Sequence, residues 1–326
     1  MQKKILAVLA LSLISSNAFA SRAKNLVTGT GDGGSFLGTT GNNGSFYSND
    51  EYNIFWNPAF INGMKSMAIV EKSNGDSDAS AGFTTNFGSI NAAVFFNRGG
   101  AATRGSKPID LVIGGDMGVK WGLGVTQSMS QGASSTKLNA GIVAGNFEPF
   151  VGYSLSSSNG LAGTLETTDA AMSAGVRYHM GDWAPYAVWG SNSTETNSVK
   201  SVDGSKWGVG LGRNAKMGDV TMNYSVAYFT GSNSLTDVSS MSLPINMNFE
   251  AEATSWLTAR AGLGYTVMER NTTASTTTAR FGGTFHLGKA DLDMVVGGGS
   301  AAGNVDSVAF DAANGFFSAA SLTYRM

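Results

Sequence analysis

The chain of 326 residues contains no cysteine, which excludes structural disulfides and thiolate chemistry and is compatible with export. Charge is scarce too. Asp, Glu, Lys and Arg together make up 13 %, about half the share usual in a soluble domain. So few charges could hardly cover a water-facing surface. Long apolar runs are also missing. Beyond the first twenty residues nothing approaches the roughly 20 apolar residues of a spanning helix. What the chain has in excess is glycine, 44 residues, against an ordinary share of about 7 %.

Residues 1–20 have the layout of a secretory signal peptide. Lys3 and Lys4 start it, Ile5 to Ile14 form its apolar centre, and Ala18-Phe19-Ala20 is an A-x-A site predicting cleavage after Ala20. Losing Lys3 and Lys4 from 21 basic residues, against 23 acidic ones, leaves a mature net charge near −4. That balance argues against nucleic acid as a partner.

Residues 21–65 do not read as strand. Gly29 to Gly44 is a Gly/Ser/Thr/Asn tract, and Pro58 bars the more apolar stretch Tyr52 to Ile61 from a central strand. Gly29-Thr30-Gly31-Asp32-Gly33-Gly34 spells G-x-G-x-x-G. It lacks the preceding strand, following helix and later acid of a dinucleotide site, so no such cofactor is expected.

From residue 66 a rhythm begins. Tight turns are expected at Gly88-Ser89, Gly115-Asp116, Gly145-Asn146, Gly181-Asp182, Gly218-Asp219, Thr254-Ser255 and Gly288-Lys289, in steps of 27, 30, 36, 37, 36 and 34 residues. Each step holds two alternating segments and one longer polar loop. Short turns at one end and long loops at the other mark an all-β transmembrane up-and-down antiparallel β-barrel over residues 66–326. The tally is about sixteen strands, with fourteen as the alternative. Long exposed loops are expected at Thr194 to Asp203, Ser232 to Ser239 and Asn271 to Thr278.

Alternation is clearest late in the chain. Ile245, Met247 and Phe249 share one face; Asn246, Asn248, Glu250 and Glu252 share the other. The polar face carries glycine and small polar residues more than Lys and Glu, as a watery lumen would. Aromatic residues cluster by the tight turns, as an interfacial girdle requires. The register places Trp183 and Trp256 on the lumen side. The final strand alternates through Leu322 and Tyr324 to Met326.

Asn57-Pro58-Ala59, just before the first strand, resembles the N-P-A motif of FadL-type outer-membrane transporters. The order of signal peptide, glycine-rich tract, N-P-A and barrel is similar to that family. The resemblance implies that residues 21–65 form a hatch folded back into the barrel; the family's hydrophobic cargo is not carried over, because its pocket residues are not matched here. Family members are longer and have fourteen strands.

Arg177, His179, Glu250, Glu252, Arg260, Arg280, His286, Asp291, Asp293 and Arg325 share the lumen parity, and we read them as pore-lining, with carboxylates opposing arginines across neighbouring strands. The two histidines lie too far apart in strand order for a metal pair. Asn74-Gly75-Asp76-Ser77-Asp78 resembles part of a calcium loop but has Thr85 where its twelfth-position Glu belongs. No catalytic, cofactor or metal site is expected, and the chain is not read as an enzyme. The predicted location is the outer membrane of a Gram-negative bacterium, with its lipids and lipopolysaccharide as partners and a homo-oligomer as an option. Three functions fit: a channel for passive passage of small solutes, FadL-like uptake of hydrophobic molecules through a plugged barrel, or a structural barrel of little conductance.

Overall fold

The computed structural model describes residues 21–28, 44–73, 78–98, 108–130, 132–158, 166–235, 238–270, 277–299 and 317–326. The expected leader, most of the glycine tract, Asn74–Ser77 and residues 271–276 lie outside them.

Sixteen strands run up and down in sequence order. They are β1 (Met67–Ser73), β2 (Ser80–Phe87), β3 (Ile90–Phe96), β4 (Ile109–Asp116), β5 (Lys120–Ser130), β6 (Ala133–Val143), β7 (Phe147–Ser158), β8 (Thr167–Tyr178), β9 (Trp183–Thr196), β10 (Val199–Met217), β11 (Val220–Asn233), β12 (Val238–Thr254), β13 (Leu257–Arg270), β14 (Thr277–Leu287), β15 (Ala290–Gly299) and β16 (Phe317–Arg325). Each pairs antiparallel with the next. β16 returns to β1, from Met67 opposite Arg325 to Ser73 opposite Ala319, and closes the cylinder. Closure leaves no unpaired strand edge, the one way a sheet can satisfy its backbone in hydrocarbon.

The two faces differ as the alternation requires. Val70, Leu123, Leu138, Trp189, Trp207, Leu263, Phe281 and Leu322 point outward and are exposed. Thr84, Asp110, Arg177, Asn248, Arg260, Asp293 and Thr323 point inward and are buried. An outward Leu or Phe in water forgoes about 1.5–3 kcal/mol that an apolar environment returns. Repeated round the wall, that preference dictates a lipid surround. No described helix is long and apolar enough to cross a membrane.

Three local expectations fail, each for a physical reason. Gly115 is not in a turn: it sits in β4 opposite Trp121, and the chain reverses over Met117–Val119, where Gly118 takes φ +86°. Two adjacent glycine sites compete there, and strand pairing takes the first. The segment Thr194 to Asp203 is not a loop either. β9 and β10 continue through it and reverse at Asn197-Ser198, both with positive φ, as a tight two-residue hairpin requires. Polar residues on both faces hid this extension, because past the bilayer both faces are wet. β11 and β12 likewise extend into Ser232 to Ser239.

Trp183 and Trp256 are the third case. Trp183 shares the outer face with Trp189, while Ala184, Tyr186 and Val188 are buried inward. β9 is apolar on both faces, which removes the alternation that would have set its register. Trp256 stacks on outward-facing Phe285 at 6.0 Å. Both therefore belong to the girdle. Arg213 lies over the Trp183 and Tyr224 rings and donates to the Tyr224 hydroxyl at 2.6 Å.

Before β1, the chain forms helix α1 (Arg22–Thr28) and two 3-10 turns, Glu51–Phe55 and Pro58–Gly63. Each begins with a side-chain cap. Ser21 Oγ accepts from the Lys24 N–H at 3.0 Å, Asp50 from Tyr52 at 2.7 Å, and Asn57 from Ala59 at 3.1 Å. Proline at the start of the last turn loses no hydrogen bond there.

Candidate functional site

The most densely built region is where residues 21–28 and 44–66 meet the inward face of the wall. Partners come from all round the cylinder. Asn57 Nδ2 donates to the carbonyls of Ile142 in β6 (3.2 Å) and Pro149 in β7 (3.4 Å). Asn62 donates to the Trp121 carbonyl in β5 at 2.9 Å. Asn139 reaches the Phe55 carbonyl at 3.1 Å, Asn214 that of Tyr47 at 2.9 Å, and Asn248 that of Thr28 at 2.6 Å. A segment bound to backbone carbonyls on β5, β6 and β7 and to the side chains of Asn139, Asn214 and Asn248 on β6, β10 and β12 lies inside the barrel.

Glycine on the wall makes this approach possible. A Cβ at Gly122 would come within 2.2 Å of the Pro58 carbonyl carbon, and one at Gly141 within 1.9 Å of Asn57 Oδ1. Asn57-Pro58-Ala59 thus occupies a seat cut by two glycines on neighbouring strands. Glycine recurs at contacts elsewhere: Gly212 faces Tyr47, and Gly262 faces the Val27 carbonyl. Much of the composition's glycine excess on these strands is the imprint of the segment they enclose.

Two apolar clusters fix residues 44–64. Phe46, Tyr47 and Trp56 pack with Phe150, Tyr186, Val188 and Ala227 of the wall. Tyr52, Ile54, Phe55 and Ile61 pack with Met67, Ile69, Phe95 and Val112. Asn53 organises the turn between them, accepting from the Ser45 N–H (2.7 Å) and Trp56 Nε1 (3.1 Å) and donating to the Ser48 carbonyl (3.0 Å).

At the closing seam, Glu71 of β1 accepts from the Arg22 N–H (2.6 Å), the Tyr52 hydroxyl and Ser321 Oγ of β16 (3.1 Å). One carboxylate therefore ties both parts of the segment to both seam strands. Burial and the neighbouring Glu71 charge hold the Tyr52 hydroxyl well above its ordinary value, so it stays a donor.

The predicted lumen residues face inward, and cross-strand pairing gathers most of them. Arg177 bonds Glu148 at 2.5 Å and also donates to the carbonyls of Phe46 and Ser48. His179 meets the same Glu148 at 3.1 Å. Arg260 bridges Glu250 (2.5 Å) and Asp293 (3.3 Å), and Lys24 approaches Glu250 at 3.9 Å. Arg325 pairs with Asp291. Arg280 has no such carboxylate among the described residues, and Glu252 is exposed near its turn. The buried pairs face the N-terminal segment rather than an open channel.

Thr258, His286 and Asp291 form a chain, with 2.9 Å at each link. That is the order of a nucleophile–base–acid relay. Thr258 and Asp291 are buried, however, and Asp291 is shared with Arg325. The chain therefore orients Arg325 beside the seam. Among the described residues, no three His, Asp or Glu side chains gather as a metal-binding group.

Glu71, Glu148, Asp110 and Tyr52 did not emerge from the sequence. Glu148 was within reach: setting 147–156 against 169–180 puts it directly across from Arg177. Glu71 had no such signal, because its partners come from α1, a 3-10 turn and the last strand.

A cavity of about 580 Å³ remains at the short-turn end, between the segment and β5–β8. Asp50, Glu51, Lys24, Lys120, Glu148 and His179 are among its lining residues. Burial, opposed by Lys24, raises the Asp50 carboxyl to about 6, and its Oδ2 has no hydrogen-bond partner.

A closed sixteen-stranded antiparallel cylinder, apolar outside and filled inside by its own N-terminal segment, defines a transmembrane β-barrel of the outer-membrane kind. No protein-family model matches the chain, and no curated protein matches it either. Solved structures do. CdiB from Acinetobacter baumannii superposes with a TM-score of 0.50 at 11 % identity, over 80 % of this chain and 60 % of that one. The outer-membrane expressed OmpT of Vibrio cholerae gives 0.42 at 12 % identity, over 80 % and 95 %. A porin refined at 1.8 Å gives 0.46 at 12 %, over 80 % and 99 %. The likeness to CdiB is one of fold.

Proposed function

We propose that this protein is an outer-membrane channel for passive passage of small polar solutes, whose bore is closed at rest by residues 21–65. The observation that carries this reading is the seat itself. The segment rests on the inner wall through side-chain hydrogen bonds, glycine-lined contacts and two apolar clusters, and an open cavity stands beneath it at the short-turn end. Lipid surrounds the apolar outside, and residues 1–20 are the leader that directs export. The charged inner residues position the segment when it is seated and line the path when it moves.

The second reading, FadL-like uptake of hydrophobic molecules, is favoured by one feature: Asn57-Pro58-Ala59 sits as a structured joint between the interior segment and the wall, next to a cluster of aromatic rings. The same experiment separates the two. Full-length protein and a variant lacking residues 21–65, each checked for barrel closure by heat-modifiable gel mobility, are placed in planar bilayers. The channel reading expects rare steps from the full chain and steady stepwise conductance after deletion. A FadL-type protein would copurify with fatty acid or detergent that the deletion releases. Absence of conductance from both proteins would refute the leading reading.

A further inference from the structure

Charge on the inner wall is matched unevenly along the bore. Near the short turns, Arg177, Arg260 and Arg325 each hold a carboxylate. Farther along, the pattern changes. Lys137 of β6 faces inward on the parity of Asn139 and Gly141, both of which touch the N-terminal segment. The carboxylate of Asp110 lies two strands away in the same row, with Asp110 opposite Thr126 and Thr126 opposite Lys137. Asp110 is already taken. Arg98 donates to both of its oxygens, at 3.0 and 2.9 Å, and Thr126 donates to it at 2.5 Å. Lys137 is thus left beside a like-charged guanidinium, with no ion pair of its own among the described residues.

Arg280 of β14 stands between Gly262 and Gly297, which neither cover nor pair it, and its Nε has no hydrogen-bond partner. β6 and β14 lie eight strands apart in the sixteen-stranded ring, so Lys137 and Arg280 stand on opposite sides of the bore. Against them stands Asp169 of β8, which accepts from Ser156 and Thr194. Basic side chains on opposite walls of a low-dielectric bore raise the local concentration of anions and repel cations.

We propose that the open bore prefers small anions to cations, and that Lys137 and Arg280 supply the preference. This rests on the channel reading above. The test is the reversal potential of the full-length protein in a planar bilayer across a potassium chloride gradient. Two variants accompany it, Lys137→Glu/Arg280→Glu and the milder Lys137→Gln/Arg280→Gln, in case the acidic pair fails to fold. The expected result is chloride favoured over potassium by about threefold or more, with the preference lost in the Gln pair and reversed in the Glu pair. Conductance without anion preference, or a preference that neither variant changes, would overturn the assignment while leaving the channel intact. No conductance at any voltage would remove both.

Discussion

The two parts of the interior segment are held in different ways. Residues 44–64 are fixed by burial, with Trp56, Phe46 and Tyr47 in one aromatic cluster and Tyr52, Phe55 and Ile61 in another. Helix α1 has little of this. Its apolar contact is Ala23 and Val27 against Val295 and Ala319, and the rest is polar: Arg22 and Ala23 N–H groups on the seam, Lys24 near Glu250, and the Thr28 carbonyl on Asn248. Hydrogen bonds exchange readily with water and net only about 0.5–1.5 kcal/mol each, whereas a buried aromatic side chain contributes more and has no substitute partner. Under destabilising conditions α1 is therefore expected to loosen before residues 44–64, which act as the anchor.

Four measurements sharpen or break that order. Trp56→Ala removes the ring at the centre of the larger cluster and should cost about 3–5 kcal/mol of segment seating. Urea unfolding in detergent micelles together with protease access to residues 44–64 would detect it; resistance equal to wild type would end the anchor claim. Acidity comes next. Asp50 is raised from 3.8 to about 6, so its contribution is fully present below 3.8 and lost as pH rises through about 6. The loss amounts to something on the order of 2–3 kcal/mol. Seating should weaken between pH 4 and 7, roughly, and Asp50→Asn should flatten that profile.

Gly122→Ala places a methyl against the Pro58 backbone and should cost about 1–3 kcal/mol. A cysteine at Ala59 would report it through faster labelling by a water-soluble maleimide, and unchanged labelling would mean the wall yields instead. Val27→Ala should be the smallest, about 1 kcal/mol, read as hydrogen exchange confined to α1. If it loosened residues 44–64 equally, the two parts would be one unit and the comparison would fail.

Legibility followed the physics of each face. Where one side of a strand meets lipid and the other meets polar groups, as in β12 to β14, alternation made faces and register plain. β9 hid its register because its inner face is also greasy, pressed against Phe46 through Tyr186. The joint at Asn57-Pro58-Ala59 was marked by resemblance and by proline chemistry, but nothing local in the sequence said that Gly122 and Gly141 were its seat. Glu71 was hidden for a related reason: its three donors are separated from it by 49, 19 and 250 residues. Contacts across such distances leave no periodic trace.

The β9–β10 hairpin has a consequence of its own. β10 spans 19 residues, which at about 3.3 Å per residue and a tilt near 45° stands well above the roughly 25 Å apolar band of such barrels. Its tip at Asn197-Ser198 is therefore a stiff mast rather than a tether. A short epitope spliced between those two residues would be carried clear of the apolar band at a fixed orientation, which makes this tip a natural mount for a foreign peptide.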